Sequence, residues 1–223
     1  IDIIAYGDDM LNNMRKISNF DLKIIALILM TIDHIGYYLF PEQIFLRYIG
    51  RISFPIFAFL MAETYKHSSN ITKKMKNLFV VAVIIQILFW SFGVLDGKGN
   101  IMFTLLGGLI LIHLYNNYKK IFFFLFLFAY ITLNIFFHID YGVLGILIVF
   151  AFSLKDFETR FLSVSFILLF LNNMYTIPTL WSFLSLIIIA FYNGKLGTKK
   201  YKYLFYIYYP LHLIILYLIS KLM

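Results

Sequence analysis

The sequence predicts an all-α fold: a polytopic transmembrane helical bundle of about nine spans with a cytoplasmic amino terminus. Three observations lead there. Of 223 residues, 62% are hydrophobic, 20% aromatic and only 13% charged, against roughly 45–50% apolar and about 25% charged in ordinary soluble domains. The apolar residues gather in runs close to the roughly 20 residues that carry a helix across a bilayer. The basic residues fall in short loops between those runs. A soluble chain of this length has no core large enough to hide 26 Phe and 17 Tyr. Cysteine is absent, which excludes disulfides, thiolate nucleophiles, acyl-thioester enzyme intermediates and Cys-based zinc sites. The formal charge of +8 would point to nucleic acid in a soluble protein, but loop placement makes membrane topology the better explanation, with no nucleic acid partner.

Residues 1–13, with Asp2, Asp8 and Asp9, differ in character from the apolar remainder of the chain, and Met10 or Met14 could serve as a native start. Residues 1–21 are read as an N-terminal leader and 22–223 as one integral-membrane domain. The first apolar run, 22–40, is too long and too rich in buried charge for a cleaved signal peptide. Pro41, Glu42 and Gln43 turn it into a hairpin with 44–62, where Pro55 should bend the helix and open space beside it. The basic loop Lys73, Lys74 and Lys76 precedes 77–95, where Gln86 reads as interhelical glue. Segment 101–118 carries His113 near its end, and 121–138 carries Asn134 and closes on His138, an interfacial position. Asp140, Tyr141 and Gly142 open 140–154 as a turn and cap. Segments 140–154 and 160–174 are short, and short spans survive where protein or water satisfies their backbone, so they should border a cavity. Asn172 and Asn173 read as glue, then 178–193 leads to 203–222, interrupted near its middle by Tyr208, Tyr209, Pro210 and His212.

The positive-inside rule orients this arrangement. With a cytoplasmic amino terminus, fifteen of nineteen Lys and Arg lie on that side: Arg15, Lys16, Lys23, Lys66, Lys73, Lys74, Lys76, Lys119, Lys120, Lys155, Arg160, Lys195, Lys199, Lys200 and Lys202. Only Lys98 and Lys221 fall opposite, which puts the carboxyl terminus outside.

The remaining two, Arg47 and Arg51, sit inside the second span, opposite Asp33 and His34 of the first. Asp33 precedes Phe40 by seven residues and Arg51 comes seven after Ile44, so at ~1.5 Å per residue both lie about 10 Å below the external end. Ionisable groups within hydrocarbon are costly and mark functional sites. Asp33 and His34 point about 100° apart, so Asp33 should pair with an arginine while His34 faces the cavity. The bland alternative is a structural ion pair, but that needs only one acid and one base. Lys73, Lys74 and Lys76 set topology and attract anionic lipid, and could also serve the phosphates of a nucleotide-like cofactor. No G-x-S-x-G, H-E-x-x-H, P-loop or G-x-G-x-x-G motif is present.

The blocks LKIIALILMTIDHIGYYLF at 22–40 and LRYIGRISFPIFAFLMAE at 46–63 resemble the TraX family. So do NIMFTLLGGLIL at 100–111, DYGVLGIL at 140–147 and FYIYYPLHLIIL at 205–216, in the same order. The resemblance covers nearly everything from residue 22 onward. It implies a multi-pass acyltransferase of the bacterial plasma membrane that uses acyl-CoA, as the family's namesake does in acetylating the amino terminus of pilin. It maps the family's blocks onto Asp33, His34 and Gly36, onto Gly50, Arg51 and Pro55, and onto Tyr209, Pro210 and His212.

On that resemblance the expected donor is acetyl-CoA and the acceptor a peptide or surface glycan. His34 is the expected base. Arg51 would stabilise the oxyanion or grip a CoA phosphate with Arg47 behind it, and Asp33 would hold the arginine. Lys73, Lys74 and Lys76 would meet the cofactor, and Tyr209, His212 and Asp140 would line the substrate cavity. Two other readings remain open: a proton-coupled membrane transporter, and a non-catalytic assembly factor for a surface structure.

Overall fold

The computed structural model describes residues 15–94, 98–174, 179–198 and 204–223. The candidate starts Met10 and Met14, positions 1–14 of the expected leader and the basic residues Lys199, Lys200 and Lys202 lie outside them, as do the side chains of Asn172 and Asn173, whereas 19–21 of that leader already belong to the first helix. Helices account for the bundle: α1 Asn19–Tyr38, α2 Ile44–Gly50, α3 Ser53–Lys66, α4 Ile71–Phe92, α5 Ile101–Asn117, α6 Lys120–Phe137, α7 Gly142–Phe152 and α8 Phe157–Met174. A 3-10 turn over Thr179–Phe183 then leads into α9 Leu184–Ala190, and α10 is Leu204–Leu222. Each apolar segment of the sequence falls on helix.

Four helical stretches are long and apolar enough to cross a membrane: Ile44–Lys66, Ile71–Phe92, Lys120–Phe137 and Phe205–Leu222. Helix α1 matches them in length but carries Asp21, Lys23 and Asp33. Helices α5, α7 and α9 are apolar and shorter.

Local chemistry sets the helix ends. Ser18 and Asp21 form a reciprocal capping box at the start of α1, Asn70 caps α4 through the Lys73 amide, and Gly93 ends α4 at a φ of 73° that glycine adopts without strain. Asn100, fully buried, caps α5 through the Met102 amide and also reaches Gln86 Oε1 and the Ala82 carbonyl. Gln86 in turn donates to the Lys98 carbonyl, so its reading as interhelical glue holds.

Ahead of Pro55 the helix loses its regular hydrogen bonding: α2 and α3 part at Arg51 and Ile52, where the backbone stays in the helical region. Proline has no N–H to offer the carbonyl four residues back, which is Arg51. Ser182 supplies the missing donor, its Oγ lying 3.1 Å from that oxygen.

Small residues draw the helices together. A Cβ on Gly108 would overlap Val149, and one on Gly107 would fall 2.9 Å from both Ile146 and Tyr130, so α5 meets α7 and α6 backbone-close. Around that contact, α1, α3, α5, α7, α8 and α9 share the main apolar core, while α10 closes on α1 and α4 through Leu27, Met30, Ile85, Phe89, Tyr209 and Leu213. Only 6% of the α6 span is buried, so its phenylalanines form an outer apolar face.

Candidate active site

Helices α1 and α2 approach most closely at Gly50, where an added Cβ would collide with the backbone and side chain of Asp33. That approach brings Arg47 onto Asp33. Its Nη1 donates to Asp33 Oδ2 at 2.5 Å and to the Asp33 carbonyl at 2.9 Å, while the guanidinium lies over the Tyr37 ring. Asp33 thus pairs with an arginine, as the hairpin geometry requires, and its partner is Arg47 rather than Arg51.

Arg51 lies where α2 and α3 part and turns toward Tyr141. Nη1 is 3.2 Å from the Tyr141 hydroxyl, and the Tyr141 ring stacks on Phe54. Arg51 Nε and Asp33 Oδ1 are buried without a hydrogen-bond partner, so the site keeps one unpaired donor and one unpaired acceptor in its wall. Tyr141 was legible only as part of a turn. Its backbone does turn there, at a φ of 58°, but its side chain serves Arg51 and caps nothing.

His34 reaches across to α10. Its Nδ1 lies 2.9 Å from His212 Nε2, and His212 Nδ1 lies 2.8 Å from the Tyr208 carbonyl. The Tyr208 ring stacks on His212, and its hydroxyl meets Thr31 Oγ1 at 2.6 Å. Thr31 spends its own proton on the Leu27 carbonyl, so the Tyr208 hydroxyl is the donor between them. Two residues 178 apart in sequence meet here, a pairing that apolar runs and spacings do not encode.

Part of this set lines one cavity of about 1090 Å³. Asp33, His34, Arg47, Arg51 and Tyr209 occupy its wall. Near the amino-terminal end of α1 the lining includes Lys23, Lys74 and Asn77, and at the opposite end Lys98, His138, Asp140 and Tyr141. The short helix α7 borders it through Gly142, Val143 and Leu144, whereas α8, expected to do the same, is an 18-residue helix that contributes no described residue to its lining.

Of the three loop lysines expected to meet a cofactor, Lys74 lines the cavity, whereas Lys73 and Lys76 are exposed away from it. His212 is buried behind His34 and does not line the cavity. His138, expected at the interface, does. Lys23 was legible only as a topological charge, although it stands one helical step inside the basic end. Among the described residues no group of three His, Cys, Asp or Glu could hold a metal ion.

The site sits in a chain with relatives. A 66-residue stretch, 30% of this chain, is 42% identical to a quarter of the uncharacterized protein RP591 of Rickettsia prowazekii (strain Madrid E). A longer alignment, of 233 positions with gaps, covers 89% of this chain and 94% of a probable fimbrial assembly protein, FimC of serogroup H1, from Dichelobacter nodosus, at 24% identity. No solved structure matches the chain. The family model described as TraX protein matches residues 18–220, so the chain belongs to the TraX family, which is linked to pilin acetylation.

Proposed function

We propose that this chain is a membrane-embedded acetyltransferase, one integral-membrane domain over 22–223, that moves an acetyl group from acetyl-CoA to an amine or hydroxyl. The acceptor is a peptide with a pilin-like amino terminus or a cell-surface glycan. One observation carries the reading. A single cavity presents an imidazole, a buried guanidinium with an unused Nε–H, and a carboxylate already paired by a second arginine. An ion pair that merely packs helices has no use for the histidine or for Arg51.

The roles follow from the atoms. His34 accepts the proton of the attacking amine or hydroxyl and returns it to the departing thiolate. Arg51 faces the carbonyl oxygen as negative charge develops, held in place by Tyr141. Asp33 and Arg47 neutralise one another and fix the hairpin, so the free positive charge near the reaction is that of Arg51. At the basic end Lys23 and Lys74 meet the phosphates of the donor. A volume of about 1090 Å³ exceeds the usual span of small-molecule pockets, ~300–1,000 Å³, and suits a donor with a long arm meeting a second substrate. With the amino terminus in the cytoplasm, the donor enters from the cytoplasmic side and the acceptor from the external side or the bilayer.

Calorimetry of the purified protein in detergent with acetyl-CoA tests this. Wild type, His34→Ala and Arg51→Ala should bind, Lys74→Glu should bind weakly, and of the first three only wild type should transfer. Full transfer by His34→Ala would overturn its assignment as base.

A cavity lined at both ends of the bundle also suits a proton-coupled carrier. That reading predicts solute flux in liposomes without any acyl donor, whereas the transferase predicts none. The fimbrial assembly name of one relative keeps a non-catalytic role in view. A purely structural site would tolerate His34→Gln without loss of function.

A further inference from the structure

We infer that His212 is a positioning residue that holds His34 in one tautomer, with Nε2 as the proton-accepting nitrogen turned to the cavity; this rests on the acetyltransferase reading above. The assignment follows from a chain of hydrogen bonds that ends on an atom unable to donate. The Tyr208 carbonyl oxygen only accepts, and His212 Nδ1 lies 2.8 Å from it, so His212 Nδ1 carries a hydrogen. A neutral imidazole protonated at Nδ1 has a lone pair at Nε2. His34 Nδ1 lies 2.9 Å from that lone pair and must therefore be N–H. In neutral His34 the remaining nitrogen, Nε2, is then the one with a free lone pair.

The opposite tautomer of His34 would set two lone pairs against each other at 2.9 Å. The arrangement also serves the protonated state. When His34 takes a proton at Nε2, its Nδ1–H bond to His212 is retained and becomes charge-assisted, so the ring need not turn between taking the proton and returning it.

Three features hold His212 still. Its ring stacks on Tyr208 at 5.0 Å between centroids, its Nδ1 is anchored to the helix backbone, and the residue is 7% exposed. Tyr208 is fixed in turn by its hydroxyl on Thr31, one turn before His34 on α1. The charged groups around His34 are Arg47 and Arg51 from α2 and its end, with Asp33 beside it on α1. None of them bonds either ring nitrogen, which leaves His212 as the group that sets the tautomer.

The experiment has a kinetic and a spectroscopic arm. In acetyl transfer, His212→Ala should lower kcat by about ten- to a hundredfold, in the range seen when the partner that orients a histidine is lost, with KM for acetyl-CoA unchanged. His212→Gln should recover a large part, because its Oε1 can occupy the place of Nε2 and accept from His34 Nδ1. A Gln variant no better than Ala would overturn the assignment.

The second arm needs no activity. With five histidines in the chain, 15N-histidine labelling resolves the His34 ring. Wild type should show Nδ1 protonated and Nε2 bare, and His212→Ala should lose that preference. A wild-type His34 protonated at Nε2 would refute the inference outright. Absent acetyl transfer in wild type with the expected tautomer would instead refute the acetyltransferase reading and leave the histidine pair standing.

Discussion

Gly50→Ala places a methyl group where no atom fits. The new Cβ would lie 2.6 Å from Asp33 Cα and nearer still to Asp33 Cβ and Oδ1. Ordinary contact begins at 3.4 Å, so the two chains must part by about 0.8 Å or more, and no flexible side chain can swing away to spare them. Arg47 stands one turn earlier on the same helix and moves with it. Its 2.5 Å bond to Asp33 would stretch beyond the ~2.7–2.9 Å of a charge-assisted hydrogen bond. Overpacking of this kind costs about 1–3 kcal/mol, and complete loss of a buried ion-pair partner costs ~3–5 kcal/mol. We expect about 3 kcal/mol, which in a chain of this length lowers Tm by ~6–12 °C. Tryptophan fluorescence during thermal unfolding in detergent reads it well, because Trp181 packs on Phe45 and Tyr48 of α2. Transfer activity should fall with the displacement of Arg51. A variant melting within about 1 °C of wild type, with unchanged emission, would refute the idea that this glycine sets the distance between the two helices.

Removing Arg47 alone leaves Asp33 buried without its partner, so Arg47→Ala should cost ~3–5 kcal/mol in thermal unfolding, and adding Asp33→Ala should restore part of it. Asn100→Ala loses a helix cap and the side-chain bonds to Gln86 Oε1 and the Ala82 carbonyl, a loss of about 1–3 kcal/mol measurable by denaturant titration. Lys74→Glu and Lys23→Glu should each raise KM for acetyl-CoA by about tenfold or more through charge reversal inside the cavity, whereas Lys73→Glu, outside it, should not. Tyr192, in the loop after α9, donates to Glu63 at 3.2 Å, and burial with the Glu63 charge pushes its hydroxyl up from 10.0 to about 12. A folded-state value above the unfolded one gives stability that is complete below pH 10.0 and lost as pH rises through about 12. The stability gap between wild type and Tyr192→Phe should therefore narrow across that window in equilibrium unfolding.

Helix type, segment placement and the depth of the polar residues were legible because they depend on composition and on a fixed rise per residue. Asp33 and Arg51 were assigned a common level in the hairpin for that reason alone, whereas Arg47, four residues nearer the turn, is the arginine that pairs with Asp33. What the chain does not advertise is rotation about each helix axis and the choice of non-adjacent neighbours. Arg47 and Arg51 lie one turn apart and look equivalent in sequence, yet one meets Asp33 and the other Tyr141. Pro55 signalled a disturbed helix, but the donor that satisfies the Arg51 carbonyl, Ser182, lies far along the chain. The meeting of His34 with His212 is of the same kind. Both residues were visible as polar intruders in apolar helices, and only the packing of α10 on α1 joins them.

The cavity carries Lys23, Arg47, Arg51, Lys74 and Lys98 against Asp33 and Asp140 among the described residues. A low-dielectric cleft with that balance repels hydronium and metal cations, as fixed positive charge does in water-selective pores. Were it to reach both faces of a bilayer, the same surplus would draw in anions and keep the cleft closed to protons.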